Sequence, residues 1–206
     1  MIKASVGERL DPLVHKLFPF LFGTRLDPNA LTLCGALVSL VAAAALAAGH
    51  FALGGVLILC GGFFDLVDGV VARHHGMATR FGAFLDSTLD RLVDMALLLG
   101  ICVHFAARGE PGGVLLAGAA LIASVLVSYA KARAELVLPA FEVGLMERGE
   151  RVGLLAAGAI LGFLIPALWI ILVGSSVTVT QRFAAAYREM ARLDQADRSR
   201  FGEQAG

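Results

Sequence analysis

Five aspartates, Asp65, Asp68, Asp86, Asp90 and Asp94, crowd a stretch (63–94) that is otherwise mostly apolar. Asp65 and Asp68 lie three apart, and Asp86, Asp90 and Asp94 follow at intervals of four, so each set falls on one face of a helix. The connection between the two runs (73–81) is short, which makes the helices antiparallel neighbours and lets their carboxylates converge at one end. Carboxylates brought together in a low dielectric repel unless they are protonated or neutralised by cations. Hard divalent ions such as Mg²⁺ or Mn²⁺ take oxygen ligands and commonly work with phosphates, so the pattern points to metal-assisted phosphoryl chemistry. Simple pairing with Arg73, Arg80 and Arg91 would account for the charge but not for its clustering. His74 and His75 beside it read as a solvated loop pair, since the carboxylates already suit a hard cation.

The elements that must hold these groups are membrane helices. The chain has 206 residues, 58% of them hydrophobic, and a mean hydropathy of +0.79, well above an ordinary soluble domain. Apolar runs cover 30–49, 51–71, 81–107, 112–130 and 152–177. The last is long for one span and contains Pro166, which interrupts a helix. Basic residues gather in the N-terminal segment, in the 72–80 loop (Arg73, Arg80), in 131–151 and in the tail after Arg182, while the connections near 50 and 164 have none. Because Lys and Arg accumulate in cytoplasmic loops, the pattern predicts an all-α membrane protein with six spans and both termini cytoplasmic. Residues 1–25, with Leu10, Leu13, Val14, Leu17, Phe18 and Leu21 at helical spacing and no cleavable leader, predict an amphipathic helix in the interface. Residues 26–192 then form the membrane domain and 193–206 a disordered cytoplasmic tail. Cys34, Cys60 and Cys102 lie within spans and read as small buried hydrophobes. The net charge of zero says nothing about partners, since the charge asymmetry lies between loops; membrane lipids and no nucleic acid are the expected partners.

Asp65, two residues, Asp68-Gly69, two residues, Ala72-Arg73, eight residues, Gly82, three residues, Asp86, three residues and Asp90 reproduce a whole signature. The stretch resembles the CDP-alcohol phosphotransferases, and so do the expected span layout and the chain length. The resemblance implies two Mg²⁺ or Mn²⁺ ions on Asp65, Asp68, Asp86 and Asp90, with Asp90 also the base that takes the acceptor's proton. It implies an alcohol attacking the β-phosphorus of a CDP-linked lipid and release of CMP. Asp94 lies outside the signature and is expected to pair with a basic residue. Gly69 and Gly82 would let the nucleotide approach the backbone, and Ala72 and Arg73 would flank the diphosphate. Thr79 falls where the family contacts CDP, and it would serve equally as the cap of the third helix. Pro28, Asn29, Ala30, Leu31 and Thr32 open the first span, where a helix N-terminus suits an anion; a plain helix start remains the other reading.

The acceptor is read from the later basic residues. Ser128, Tyr129, Lys131, Arg133 and Glu135, with the Glu-Arg-x-Glu-Arg of 147–151, are most similar to the prokaryotic phosphatidylinositol phosphate synthases and their archaeal relatives. That likeness implies CDP-diacylglycerol as donor, inositol 1-phosphate as acceptor, and an acceptor-phosphate site at Ser128, Lys131, Arg148, Arg151 and Arg182. Glycerol 3-phosphate, also a hydroxyl with a phosphate, is the alternative acceptor. A divalent-cation transporter is the alternative of another class, although transport favours carboxylates at the midplane. The resemblance further implies a homodimer in a prokaryotic inner membrane with its site on the cytoplasmic side. Gly100, Gly118, Ala119 and Ala120 are the small residues expected to allow the copies to pack closely.

Overall fold

The structure is a computed structural model that describes residues 27–204 except 75 and 140. The N-terminal segment expected in the interface therefore lies outside the described residues. The described chain is helical, with no strand among the described residues. Six helices follow in order: α1 Pro28–Ala47, α2 Phe51–His74, α3 Arg80–Ala107, α4 Pro111–Ala134, α5 Arg148–Leu161 and α6 Leu164–Gln204.

Local chemistry sets the boundaries. Asp27 caps α1 by accepting from the Asn29 amide at 3.0 Å, with Pro28 in the first turn where its missing donor costs nothing. Thr79 caps α3 by accepting from the Gly82 amide at 2.9 Å. The long apolar run 152–177 breaks at Gly162, whose φ of 78° is the left-handed conformation that ends α5. Pro166 does not make the break; it sits in the first turn of α6.

Among the described residues, four helices are long and apolar enough to cross a membrane: Pro28–Ala47, Phe51–Arg73, Pro111–Ala134 and the Leu164–Ala196 part of α6. With 28 residues α3 has the length, but Asp86, Asp90, Arg91 and Asp94 interrupt its apolar character. At 14 residues, α5 rises only about 21 Å, short of a ~30 Å hydrocarbon core. α6 continues helical through Gln204, contrary to the expected disordered tail. Residues 175–201 contain neither Gly nor Pro, and Glu189 and Arg192 pair at 2.8 Å on the extension.

The principal helix contacts close a ring, α1 to α2, α2 to α5, α5 to α6, α6 to α4, α4 to α3 and α3 back to α1. Leu46, Leu97, Ile101, Leu168 and Ile171 fill its centre among small residues such as Ala42, Ala117 and Ala156. A side chain on Gly100 would meet the Ala43 carbonyl at 2.4 Å, so α1 and α3 approach through backbone. Gly100 and Ala120, expected between copies of the chain, are therefore spent on packing within it. Cys34 and Cys60 face outward instead of inward, and Cys102 is half-buried.

Candidate active site

Contrary to the expected antiparallel neighbours, α2 and α3 are not principal packing partners; each packs on α1, which brings the last turns of α2 and the first turns of α3 to the same end of the ring. That places Asp65, Asp68 and Asp86 with one carboxylate oxygen each inside a span of 4.8 Å. Asp68 is the buried member, 6% exposed. The Thr32 hydroxyl reaches it from α1, 2.5 Å from Oδ2, and also lies 2.9 Å from the Pro28 carbonyl. A donor set made only of carboxylate oxygens on rigid helix ends fits a hard divalent ion.

Asp90 is one turn further along α3 and reaches the group through a cation. Arg148, at the start of α5, places Nη1 3.0 Å from Asp65 Oδ2 and 2.9 Å from Asp90 Oδ1. Its Nε lies 3.3 Å from Asp94 Oδ1. Arg151 Nη2 lies 3.0 Å from Asp94 Oδ2, so Asp94 does pair with basic residues, two of them. The alternative partner Arg91 instead turns back to the Ser87 carbonyl and hydroxyl.

The residues expected at the nucleotide meet where the N-termini of α1 and α3 come together. A methyl on Gly82 would lie 3.0 Å from Thr79 Oγ1 and 3.1 Å from Asn29 Oδ1, so the bare backbone there lets the two helix starts converge. Gly69, on α2, keeps Arg73 close, with Nη1 3.3 Å from where its side chain would begin. Leu31 packs on Val67 and Val71 of α2, which fixes the opening of α1 against the aspartate helix. Ala30 is exposed and Ala72 half-buried on the same end. Thr79 caps its helix, the second of the two readings offered for it.

Beside the carboxylates opens a cavity of about 210 Å³. Ser128, Lys131, Arg148, Arg151 and Arg182 all line it, together with Asp86, Asp90 and Asp94. The basic residues of α4, α5 and α6 and the aspartate helices thus share one chamber. Arg182 is 2% exposed and donates to the Val127 carbonyl at 2.5 Å and the Val143 carbonyl at 2.6 Å. Glu147 lies between Arg182, at 3.4 Å, and Lys131, at 3.5 Å. Its place at the front of the 147–151 charge run marks it in the sequence, though without a role. Ser87, Arg91 and Glu135 also line the chamber. A cation-rich pocket against a carboxylate cluster can receive a molecule that carries both a phosphate and a reacting hydroxyl.

Residues 25–186 match the CDP-alcohol phosphatidyltransferase family. The chain belongs to that family. This CDP-alcohol phosphatidyltransferase is 38% identical over 197 residues to the phosphatidylinositol phosphate synthase of Mycobacteroides abscessus, covering 91% of this chain and 89% of that one. It is 38% identical over 165 residues to the archaetidylinositol phosphate synthase of Methanothermobacter thermautotrophicus, covering 80% of this chain and 82% of the other. The phosphatidylinositol phosphate synthase of Mycobacterium tuberculosis has the same fold. Its crystal structure with CDP-DAG bound matches with a TM-score of 0.72 at 28% identity, covering 89% of this chain and 94% of that one. Its complex with manganese and citrate gives 0.73 at 31% identity, covering 85% and 88%.

Proposed function

We propose that this phosphatidyltransferase moves the phosphatidyl group of CDP-diacylglycerol onto the hydroxyl of inositol 1-phosphate and releases CMP. The observation that carries the reading is the chamber in which Lys131, Arg148 and Arg182 stand next to Asp86 and Asp90. A guanidinium matches phosphate bidentately, whereas serine, ethanolamine or choline would gain nothing from that charge. The names of the relatives point to the same acceptor class.

Asp65, Asp68 and Asp86 would hold the two Mg²⁺ or Mn²⁺ ions, with Asp90 adjoining. Bound divalent ions supply charge that stabilises both the attacking and the leaving oxygens of such a displacement. The chain's own groups do the rest. Pro28–Thr32, Thr79 and Gly82, with Gly69, Ala72 and Arg73, seat the nucleotide diphosphate at the junction of α1, α2 and α3. Ser128, Lys131, Arg148 and Arg182 orient the acceptor by its phosphate so that its hydroxyl faces Asp90. The hydroxyl oxygen bonds to the β-phosphorus as the bond from that phosphorus to the bridging oxygen breaks. CMP departs with that oxygen, and the hydroxyl proton passes to the Asp90 carboxylate.

The same reading places six spans in a prokaryotic inner membrane, α3 and the short α5 completing the four apolar helices, with the site and both termini cytoplasmic. The broken apolarity of α3 follows from lining a polar chamber, where intramembrane charge is tolerated, and α5, short for a full span, is counted as one because an even number of spans keeps both basic termini on one side. Residues 26–192 are the catalytic membrane domain, preceded by an interfacial segment, and the protein works as a homodimer. The test is a competition in which purified protein receives CDP-diacylglycerol with inositol 1-phosphate, glycerol 3-phosphate, free inositol and serine together, the lipid products being resolved by mass. Phosphatidylinositol phosphate should dominate. Phosphatidylglycerophosphate as the main product would overturn the acceptor, and phosphatidylserine would overturn the role of the basic chamber.

A further inference from the structure

Asp94 is 9% exposed, lies outside the eight-position signature, and has two cations on it. Both come from the first turns of α5, so one carboxylate on α3 fixes the entry of another helix. Its Oδ1 takes the Arg148 Nε at 3.3 Å and its Oδ2 takes Arg151 Nη2 at 3.0 Å. Arg151, expected to touch the acceptor, is only 4% exposed, and both terminal nitrogens are already committed while its buried Nε has no partner. Its Nη1 donates to the Met146 carbonyl at 3.2 Å, and Nη2 also stands 3.5 Å from Ser128 Oγ. Arg148, by contrast, carries its outer nitrogen Nη1 forward between Asp65 and Asp90, into the chamber wall.

We propose that Asp94 and Arg151 form a positioning pair that aims Arg148 into the acceptor chamber, and that Arg151 acts through this pair and not as a ligand of the acceptor. An arginine has several rotatable bonds, and holding its Nε fixes the plane of the guanidinium fork. Asp94 grips Nε and leaves Nη1 directed at Asp65 and Asp90. Arg151 in turn holds the second oxygen of Asp94, and the Met146 carbonyl and Ser128 hold Arg151. The chain of contacts thus runs from α4 through Arg151, Asp94 and Arg148 to the α2 and α3 carboxylates. This inference rests on the proposed use of a phosphorylated acceptor.

The test uses the purified full-length protein with CDP-diacylglycerol and whichever phosphorylated acceptor the wild type uses, so that a wrong acceptor and a wrong role for Asp94 give different results. Asp94→Asn should raise the acceptor KM about ten-fold, the scale of one charge-assisted hydrogen bond, and leave the donor KM in place. In the Arg148→Gln background, Asp94→Asn and Arg151→Gln should each add little, because the group they aim is gone. Asp94→Glu, which keeps the charge, should recover part of the acceptor KM. A further multiplicative rise from Arg151→Gln in the Arg148→Gln background would make Arg151 an acceptor ligand and overturn the pairing. An unchanged acceptor KM in folded Asp94→Asn would overturn it as well. Arg151→Lys provides the second approach if Asp94→Asn fails to fold: it keeps the cation, loses the fork, and should raise the acceptor KM while sparing the donor KM. Failure of both variants to fold would mean that the pair holds the helices together instead of aiming Arg148.

Discussion

Thr32→Val asks what the opening turn of α1 contributes. The hydroxyl has one proton and two acceptors in reach, the Pro28 carbonyl at 2.9 Å and Asp68 Oδ2 at 2.5 Å. The carboxylate is the stronger acceptor, and it belongs to the buried member of the Asp65, Asp68 and Asp86 trio. Valine keeps the shape and β-branching of threonine, so α1 should retain its packing while the bond is lost. A hydrogen bond to an ionised group contributes about 1.5–3 kcal/mol, and the outer partners of metal ligands are worth about 10- to 100-fold in metal affinity. The apparent constant for Mn²⁺ or Mg²⁺, measured from the rate of CMP release across a metal titration, should therefore rise by one to two decades. Saturating metal should restore most of the rate, and any rise in the KM for CDP-diacylglycerol should be smaller than the rise in the metal constant. A donor KM that rises while the metal titration is unmoved would refute this reasoning. Thr32 would then serve the nucleotide alone.

Asp65→Asn, Asp68→Asn and Asp86→Asn should each abolish CMP release, and EDTA should do the same to the wild type; substantial turnover in excess EDTA would contradict a metal-dependent displacement. Asp90→Asn should still bind CDP-diacylglycerol, measured by equilibrium binding, while losing turnover, because the amide cannot take the acceptor proton. Gly82→Ala places a methyl 3.0 Å from Thr79 Oγ1 and 3.1 Å from Asn29 Oδ1. It should raise the donor KM and spare the acceptor KM, and an equal rise in both would mean that Gly82 serves the whole fold.

The aspartate cluster was legible because helical periodicity converts spacing into a shared face and a short connection keeps two helix ends near each other, although the expected packing of α2 on α3 is replaced by packing of both on α1. Asp65, Asp68 and Asp86 accordingly come together as expected. What sequence could not supply was partnership across long separations. Asp94 was expected to meet a cation, but its partners are 54 and 57 residues away on another helix. Arg91 is three residues from Asp94 in sequence, yet it turns back to Ser87. Composition also misjudged faces. Small residues at 100 and 120 pack equally well within a chain or between chains, and only the approach of Ala43 to Gly100 decides the first of them. The break near 164 was legible as a place but not as a cause, since Gly162 ends α5 while Pro166 merely begins the next helix well.

The cations and carboxylates of this chamber solve each other's problem. An isolated charge taken out of water costs several kcal/mol, so neither a cluster of aspartates nor a set of buried arginines is stable alone at the end of a helix ring. Here Arg148 bridges Asp65, Asp90 and Asp94, Arg151 completes Asp94, and Glu147 stands between Lys131 and Arg182. Each pairing joins different helices or a helix to the 135–147 loop, so the charges that serve chemistry also tie the open end of the ring. The apolar core further along the helices contains no equivalent ties and relies on the close packing of alanine, glycine, leucine and isoleucine. The metal-candidate carboxylates and the acceptor cations are consequently one electrostatic unit. A substitution in either half is expected to be felt in the other through Arg148, which is the physical reason to measure metal constants and acceptor KM together in every variant.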